Sequence, residues 1–233
     1  MTNTVAVRCY FDGLQSIPDT NAVVAIDVIR ATTTAVTAVA MGRRCYPVAS
    51  VEAAKELSTS LKDALLVGEL GGVMATGFDM TNSPAELATR TDKRPIILLS
   101  SSGTQLIDRI RHRSRAFVAC FRNYKATIRA VTNEGRSVTV IGAGTRGQFR
   151  EEDQMCAAWI AAGLIDQGYI PCDTSTQELI RRWKPARPAD FLVSESVSYL
   201  LRSNQMRDLD FILSHFDDVN SAFKVAGDQI VEQ

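Results

Sequence analysis

The chain is poor in the residues that most metal and nucleophilic chemistries need. It has two histidines in 233 residues. His112 lies in Arg109-Ile110-Arg111-His112-Arg113, which reads as a solvated helix face, and His215 ends an apolar stretch, where histidine packs more often than it ligates. This argues against a zinc hydrolase built on histidines and against a phosphohistidine enzyme. The five cysteines (Cys9, Cys45, Cys120, Cys156, Cys172) are odd in number, widely spaced and without a C-x-x-C pair, which speaks against a disulfide framework and a thiolate zinc site. They read as core or strand residues. None begins the C-x5-R spacing of cysteine phosphatases, and neither a G-x4-G-K-[ST] phosphate loop nor a Gly-x-Ser-x-Gly elbow occurs. Neither sign of charge is in excess, with 26 Lys plus Arg against 26 Asp plus Glu. Nothing therefore draws the whole surface toward nucleic acid or membrane, and any anion site must be local. No apolar run approaches the ~20 residues of a membrane span, and residues 1–12 lack a basic segment followed by an apolar core. A cytoplasmic protein is expected.

An apolar fraction of 45% is enough for a real core in one large domain or two lobes. Short apolar runs at Val5–Phe11, Ala22–Ile26, Cys45–Val48, Ala64–Val67, Pro95–Leu99, Ala116–Ala119 and Ser137–Ile141 read as strands. Helical stretches follow most of them, at 31–41, 51–60, from Pro84, after Gly103, 123–131 and 151–167. Gly68-Glu69-Leu70-Gly71-Gly72 reads as a loop. Continuous apolar strands alternating with helices predict an α/β fold, a three-layer α/β/α arrangement with a largely parallel or mixed sheet. No linker is rich enough in Gly, Ser or Pro to separate a second unit, so residues 1–233 read as one domain. Residues 168–233 read as a mainly helical cover, with helices near 189–201 and 206–215.

In such a sheet, ligands sit at the carboxyl ends of the strands. The turn Asp27-Val28-Ile29-Arg30-Ala31-Thr32-Thr33-Thr34 puts a carboxylate, a guanidinium and three hydroxyls where a helix begins, beside free backbone N–H groups and the positive end of the dipole. The alternative is that Asp27 caps the helix and the threonines fill its first turn. Glu69, Ser102-Gly103-Thr104, Arg122-Asn123 and 142–153 also follow candidate strands, and Asp79, Asn82 and Ser83 lie in the loop after Glu69. Carboxylates for a hard cation, with arginines and hydroxyls for an anion, make a phosphate-site inventory. A competing motif is Gly142-Ala143-Gly144-Thr145-Arg146-Gly147, which fits G-x-G-x-x-G and would suit an NAD(P)-dependent oxidoreductase. Gln148-Phe149-Arg150 separates it from the next helix, and a loop opened for a phosphate or metal suits it better.

Asp27-Val28-Ile29-Arg30-Ala31-Thr32-Thr33-Thr34, Gly68-Glu69, Gly77-Phe78-Asp79-Met80-Thr81-Asn82-Ser83-Pro84 and Gly103-Thr104 together resemble the 2-phosphosulfolactate phosphatase family over roughly the first two thirds of the chain. The Asn123 turn and Glu152-Asp153 fit the same pattern. The resemblance implies a three-layer α/β/α fold and a magnesium-dependent enzyme that releases phosphate from 2-phospho-3-sulfolactate, a step toward coenzyme M in methanogens. Ser100–Thr104 departs from the family's more usual Thr-Thr-Asn-Gly-Thr, and Thr81 stands where glycine is usual. Both changes bear on substrate identity more than on reaction type.

The expected site has Asp27, Arg30, Glu69 and Asp79 as catalytic residues, and magnesium held from among Asp27, Glu69, Asp79, Glu152 and Asp153. Thr32, Thr33, Thr34, Asn82, Ser83, Ser102, Gly103, Thr104 and Asn123 would contact the substrate, and Arg122 and Arg146 its second anionic group. Whether Asp27 is ligand, nucleophile or base stays open, although Ile29 occupies the second position of a D-x-D nucleophile motif. The partner is a small anionic phosphoester, with room for a homodimer. A non-catalytic binder of phosphorylated or sulfonated acids is the other reading.

Overall fold

The computed structural model describes residues 2–9, 17–19, 21–145 and 148–233. Its strands in chain order are β1 (Thr4–Cys9), β2 (Ala22–Ile26), β3 (Cys45–Val48), β4 (Leu65–Leu70), β5 (Val73–Met74), β6 (Ile96–Leu99), β7 (Ala116–Ala119), β8 (Val138–Gly142), β9 (Ile170–Pro171), β10 (Phe223–Ala226) and β11 (Gln229–Glu232). Every residue of β2, β3, β6, β7 and β8 is buried, which is why these segments read as unbroken apolar runs. The helices are α1 (Ala31–Ala40), α2 (Val51–Ser60), α3 (Pro84–Thr89), α4 (Gly103–Ile110), α5 (Tyr124–Asn133), α6 (Glu151–Asp166), α7 (Thr174–Trp183), α8 (Glu195–Arg202) and α9 (Met206–Ser214), with a 3-10 turn at Pro188–Val193. Side-chain caps start several of them. Ser50 accepts from the Ala53 N–H, Asp173 from Thr176, and Ser83 from Glu86 with Pro84 at the first helical position.

The described strands form one mixed sheet in the order β5-β4-β6-β3-β11-β10-β7-β2-β8-β1-β9. β4, β6 and β3 make one parallel block, and β7, β2, β8, β1 and β9 make another. The antiparallel hairpin β10–β11 joins the two, pairing with β7 on one side and β3 on the other. The α/β expectation therefore holds, with helices on both faces. The C-terminal region differs from the sequence reading. It supplies covering helices, including the unforeseen α7, but its last strands stand in the middle of the sheet. Phe223, Val225 and Ile230 alternate with more polar neighbours, and Gly227, at φ +64°, turns the chain within a two-residue loop. That was a hairpin signal. A second correction concerns 68–72: Gly68, Glu69 and Leu70 are strand residues, and only Gly71 and Gly72 turn, into β5.

The small residues of α1 let it sit within the core, with Ala31–Ala38 all buried, packed on β3, β6, β7 and β11. β2, β3, β4, β6, β7 and the hairpin share one apolar cluster with α1 and α4, while the other face of β1, β2 and β8 packs against α6 and the C-terminal helices. Five strand spacings of about 4.8 Å would separate β6 from β2 by roughly 24 Å in a flat sheet. Yet Gly103, after β6, touches Asp27, after β2. The sheet curves around α1 and α4 and brings the two sets of strand ends together. Among the described residues, no helix is long and apolar enough to cross a membrane.

Candidate active site

Asp27 ends β2 and is 7% exposed. One of its carboxylate oxygens accepts the Ala31 N–H at 3.3 Å, and the Gly103 N–H also donates to the group, so it stands at the starts of both α1 and α4. Only glycine fits at 103, because a Cβ there would lie 2.3 Å from Asp27 Oδ2. Despite these donors, burial, helped by Glu69 and Glu152 nearby, pushes the Asp27 pKa up to about 7.

Glu69 reaches this cluster from the end of β4. Its carboxylate accepts from the backbone N–H of Ser101 at 2.8 Å, the Ser101 hydroxyl at 3.0 Å and the Gly72 N–H at 2.6 Å. Glu152 and Asp153 come from the first turn of α6, and burial raises both above the ordinary carboxylate range. For Asp153 the next contributions are Glu152 and Asp27. Asp153 accepts the Val28 N–H at 2.8 Å and is also bonded by the Gly144 N–H, so it staples the turns after β2 and β8. Glu152 lies against Ser194 and Ser196 at the start of α8, and its Oε2 has no hydrogen-bond partner among the described residues.

Arg30 is buried and paired with Asp208 of α9, which is itself 2% exposed. The same Asp208 carboxylate accepts the Ser83 hydroxyl and the Ala85 N–H, tying the β2–α1 turn to the start of α3. Sequence reading had no sign of Asp208, which lies far along the chain on an ordinary amphipathic helix. Arg30 and Glu69 line a cavity of about 170 Å3, with Asn82, Arg150, Ser196 and Tyr199 among its other walls. Arg150, also missed, stands at the N-cap position of α6, in the turn after β8, without a side-chain cap bond.

Several expected contributors serve the framework instead. Thr32 Oγ1 donates to the Asp27 carbonyl and accepts the Asp27 N–H, Thr33 Oγ1 donates to the Val28 carbonyl, and Thr34 Oγ1 donates to the carbonyls of Arg30 and Asn82. All three hydroxyls donate to backbone carbonyls and fix the turn. Asp79 is exposed and accepts the Leu66 N–H at 2.8 Å, about three residues or roughly 10 Å back along β4 from Glu69. The structure does not bring it to the cluster. Arg122 forks onto Asp218, donates to Thr37 Oγ1 and stacks over Phe211, while Asn123 bonds the Cys120 N–H and the Val118 carbonyl. Thr104 and Ser100 bond one another's backbone, and Ser102 stands at the α4 N-cap without a side-chain cap bond. Arg146 lies outside the described residues. The loop that carries the glycine motif closes on itself, since Thr145 and Gln148 exchange two backbone hydrogen bonds, and α6 begins only at Glu151 with three acidic residues in its first turn. A pyrophosphate would meet carboxylates there instead of a free helix start.

No three His, Cys, Asp or Glu side chains among the described residues are positioned as a ready metal cage. Magnesium does not need one, since it is usually held by one or two carboxylates together with water and substrate oxygens. The buried carboxylates Asp27 and Glu152, both raised chiefly by burial, and the unpartnered Glu152 Oε2 fit such a cation. The family model for 2-phosphosulpholactate phosphatase matches residues 12–221. The chain belongs to this family. A Symbiobacterium thermophilum protein named "Probable 2-phosphosulfolactate phosphatase" is 35% identical over 81% of this chain and 84% of its own length. Proteins of the same name from Pseudothermotoga lettingae and Carboxydothermus hydrogenoformans are 39% and 36% identical over 62% and 71% of this chain. The match spans 62% of the Pseudothermotoga protein's length and 69% of the Carboxydothermus protein's.

Proposed function

We propose that this protein is a magnesium-dependent phosphatase that hydrolyses the phosphate monoester of a small, multiply anionic hydroxy acid, with 2-phospho-3-sulfolactate as the first candidate. The observation that carries this reading is the buried group of carboxylates, Asp27, Glu69 and Glu152, beside a small cavity whose walls hold Arg30 and Arg150. Uncatalysed monoester hydrolysis is slow enough that enzymes supply up to ~10²¹-fold acceleration, and two helix starts alone do not provide that. Asp27, Glu69 and Glu152 would hold the metal, which when bound would polarise the phosphoryl group and acidify a water. Asp153 keeps the turns after β2 and β8 in register for it. Arg30, held by Asp208, presents a fixed guanidinium to the phosphoryl oxygens. Asp27, whose pKa is pushed up to about 7 by burial and its acidic neighbours, would be held ionised by a bound cation.

The names of the relatives and the size of the cavity support a small acid substrate. The test is phosphate release from a panel of phosphorylated hydroxy acids with and without a sulfonate, before and after chelation. EDTA should abolish release and magnesium should restore it. Undiminished turnover after thorough chelation would overturn the metal assignment, and no release from any member would overturn the activity.

A further inference from the structure

We infer that Arg150 binds the second anionic group of the substrate, the carboxylate or sulfonate remote from the phosphate; this rests on the reading above and extends it. Among the described residues the cavity walls contain three arginines. Arg30 is paired with Asp208 through one nitrogen and assigned to the phosphate, and Arg202 is paired with Glu195. Arg150 has no carboxylate within ion-pair distance among the described residues, although it is only 8% exposed. Its Nη1 donates to Gln148 Oε1 at 2.8 Å, while its buried Nε has no hydrogen-bond partner among the described residues. A buried guanidinium without a counter-charge is costly unless something completes it. Asn82 Oδ1, on the wall of the same cavity and 2% exposed, is a second buried polar atom without a partner.

Both vacancies are met by a ligand with an oxyanion and additional polar hydrogen-bonding capacity. A planar guanidinium suits a carboxylate or sulfonate through paired N–H donors. The two arginines sit on different turns, Arg30 after β2 and Arg150 after β8, which are neighbouring strands. One small acid can therefore span them, with its phosphate toward the Asp27 carboxylates and its other anion toward Arg150. Arg122 is excluded from this role by its fork to Asp218.

The test is calorimetric titration of the magnesium-loaded protein with 3-sulfolactate and, separately, with inorganic phosphate. Arg150→Ala should weaken 3-sulfolactate by about ten- to hundredfold, the usual cost of a lost charge-assisted bond, and change phosphate by less than about threefold. Arg150→Lys, which keeps the charge and lacks the fork, should weaken sulfolactate by roughly tenfold and decides the matter if the alanine variant does not fold. Equal weakening of both ligands, weakening of phosphate alone, or no sulfolactate binding by the wild type would overturn the assignment. Failure of the catalytic reading shows separately, as binding of both anions without phosphate release.

Discussion

Asp27 is flanked by two turns that each carry an arginine and hold it differently. The turn after β7 carries Arg122 and the turn after β8 carries Arg150, one on each side of β2. Arg122 is closed off: Asp218 occupies two of its nitrogens, Thr37 a third, and Phe211 lies under its plane. Arg150 is also buried and forms part of the cavity wall, yet its Nε has no partner among the described residues. An arginine at a strand end is open to a ligand where the framework leaves some of its nitrogens unused, as at Arg150 and at Arg30, which gives Asp208 one nitrogen. The same distinction separates Glu152, with a spare oxygen, from Asp79, which pins a loop to β4.

The strongest way to break this contrast is at its most committed residue. Asp27→Asn should lower kcat/KM by at least about a hundredfold. It should also leave the melting temperature of the metal-free protein unchanged or higher, because a buried repulsion is removed while the cap acceptor is kept. A destabilised but fully active variant would return Asp27 to the framework class, where losing a cap costs ~0.5–2 kcal/mol.

Proton linkage gives a smaller effect of defined sign. Asp27 titrates at about 7 in the folded chain against an ordinary 3.8, so the folded state holds a proton that the unfolded state has released between those values. Its contribution to stability is present on the acid side and is lost as pH rises from about 4 to about 7. The melting temperature of chelated protein should fall over that window more than that of Asp27→Asn. The difference should be on the order of 2 kcal/mol, since each tenfold change in proton affinity is worth about 1.4 kcal/mol and neighbouring carboxylates share the proton. Magnesium should stabilise the wild type more at pH 8 than at pH 5. A flat profile identical in both proteins would remove Asp27 from the titrating group.

Arg122→Ala is the smallest expected change. Losing a partly exposed ion pair and a cation–π contact should cost about 1 kcal/mol, a few degrees of melting temperature, with kcat/KM within about twofold of wild type. A large loss of turnover at an unchanged melting temperature would dissolve the distinction between the two turns.

Much of the fold was legible because its strands are buried on both faces, and Ala22–Ile26, Cys45–Val48 and Ala116–Ala119 have the bounds that their apolar runs suggest. The site was legible as far as residue type and strand end reach: Asp27, Glu69, Glu152 and Asp153 converge. What could not be read was satisfaction. Thr32, Thr33 and Thr34 offer hydroxyls that suit a phosphate and a backbone carbonyl equally, and the local carbonyls took them. Asp208 reaches Arg30 from the far end of the chain, and no local pattern marks it. Arg150 was hidden by the acidic run that follows it. The hairpin and α7 did carry local signals, the Gly227-Asp228 turn between alternating residues and the Asp173 N-cap.

That hairpin also governs the order in which the molecule can be made. Ile230 pairs with Cys45 and Phe223 with Val118, so the strands that unite the two parallel blocks emerge from the ribosome after everything they unite. Until residue 232 has been synthesised, the block that ends in Glu69 and Gly103 and the block that ends in Asp27 have no continuous hydrogen-bonded path between them. Before that the chain has two sheet fragments with open edges, and the strands that join them complete the sheet between Glu69 and Asp27. Asp27, Glu152 and Asp153 already meet within the second block, so what the hairpin adds is Glu69 alone.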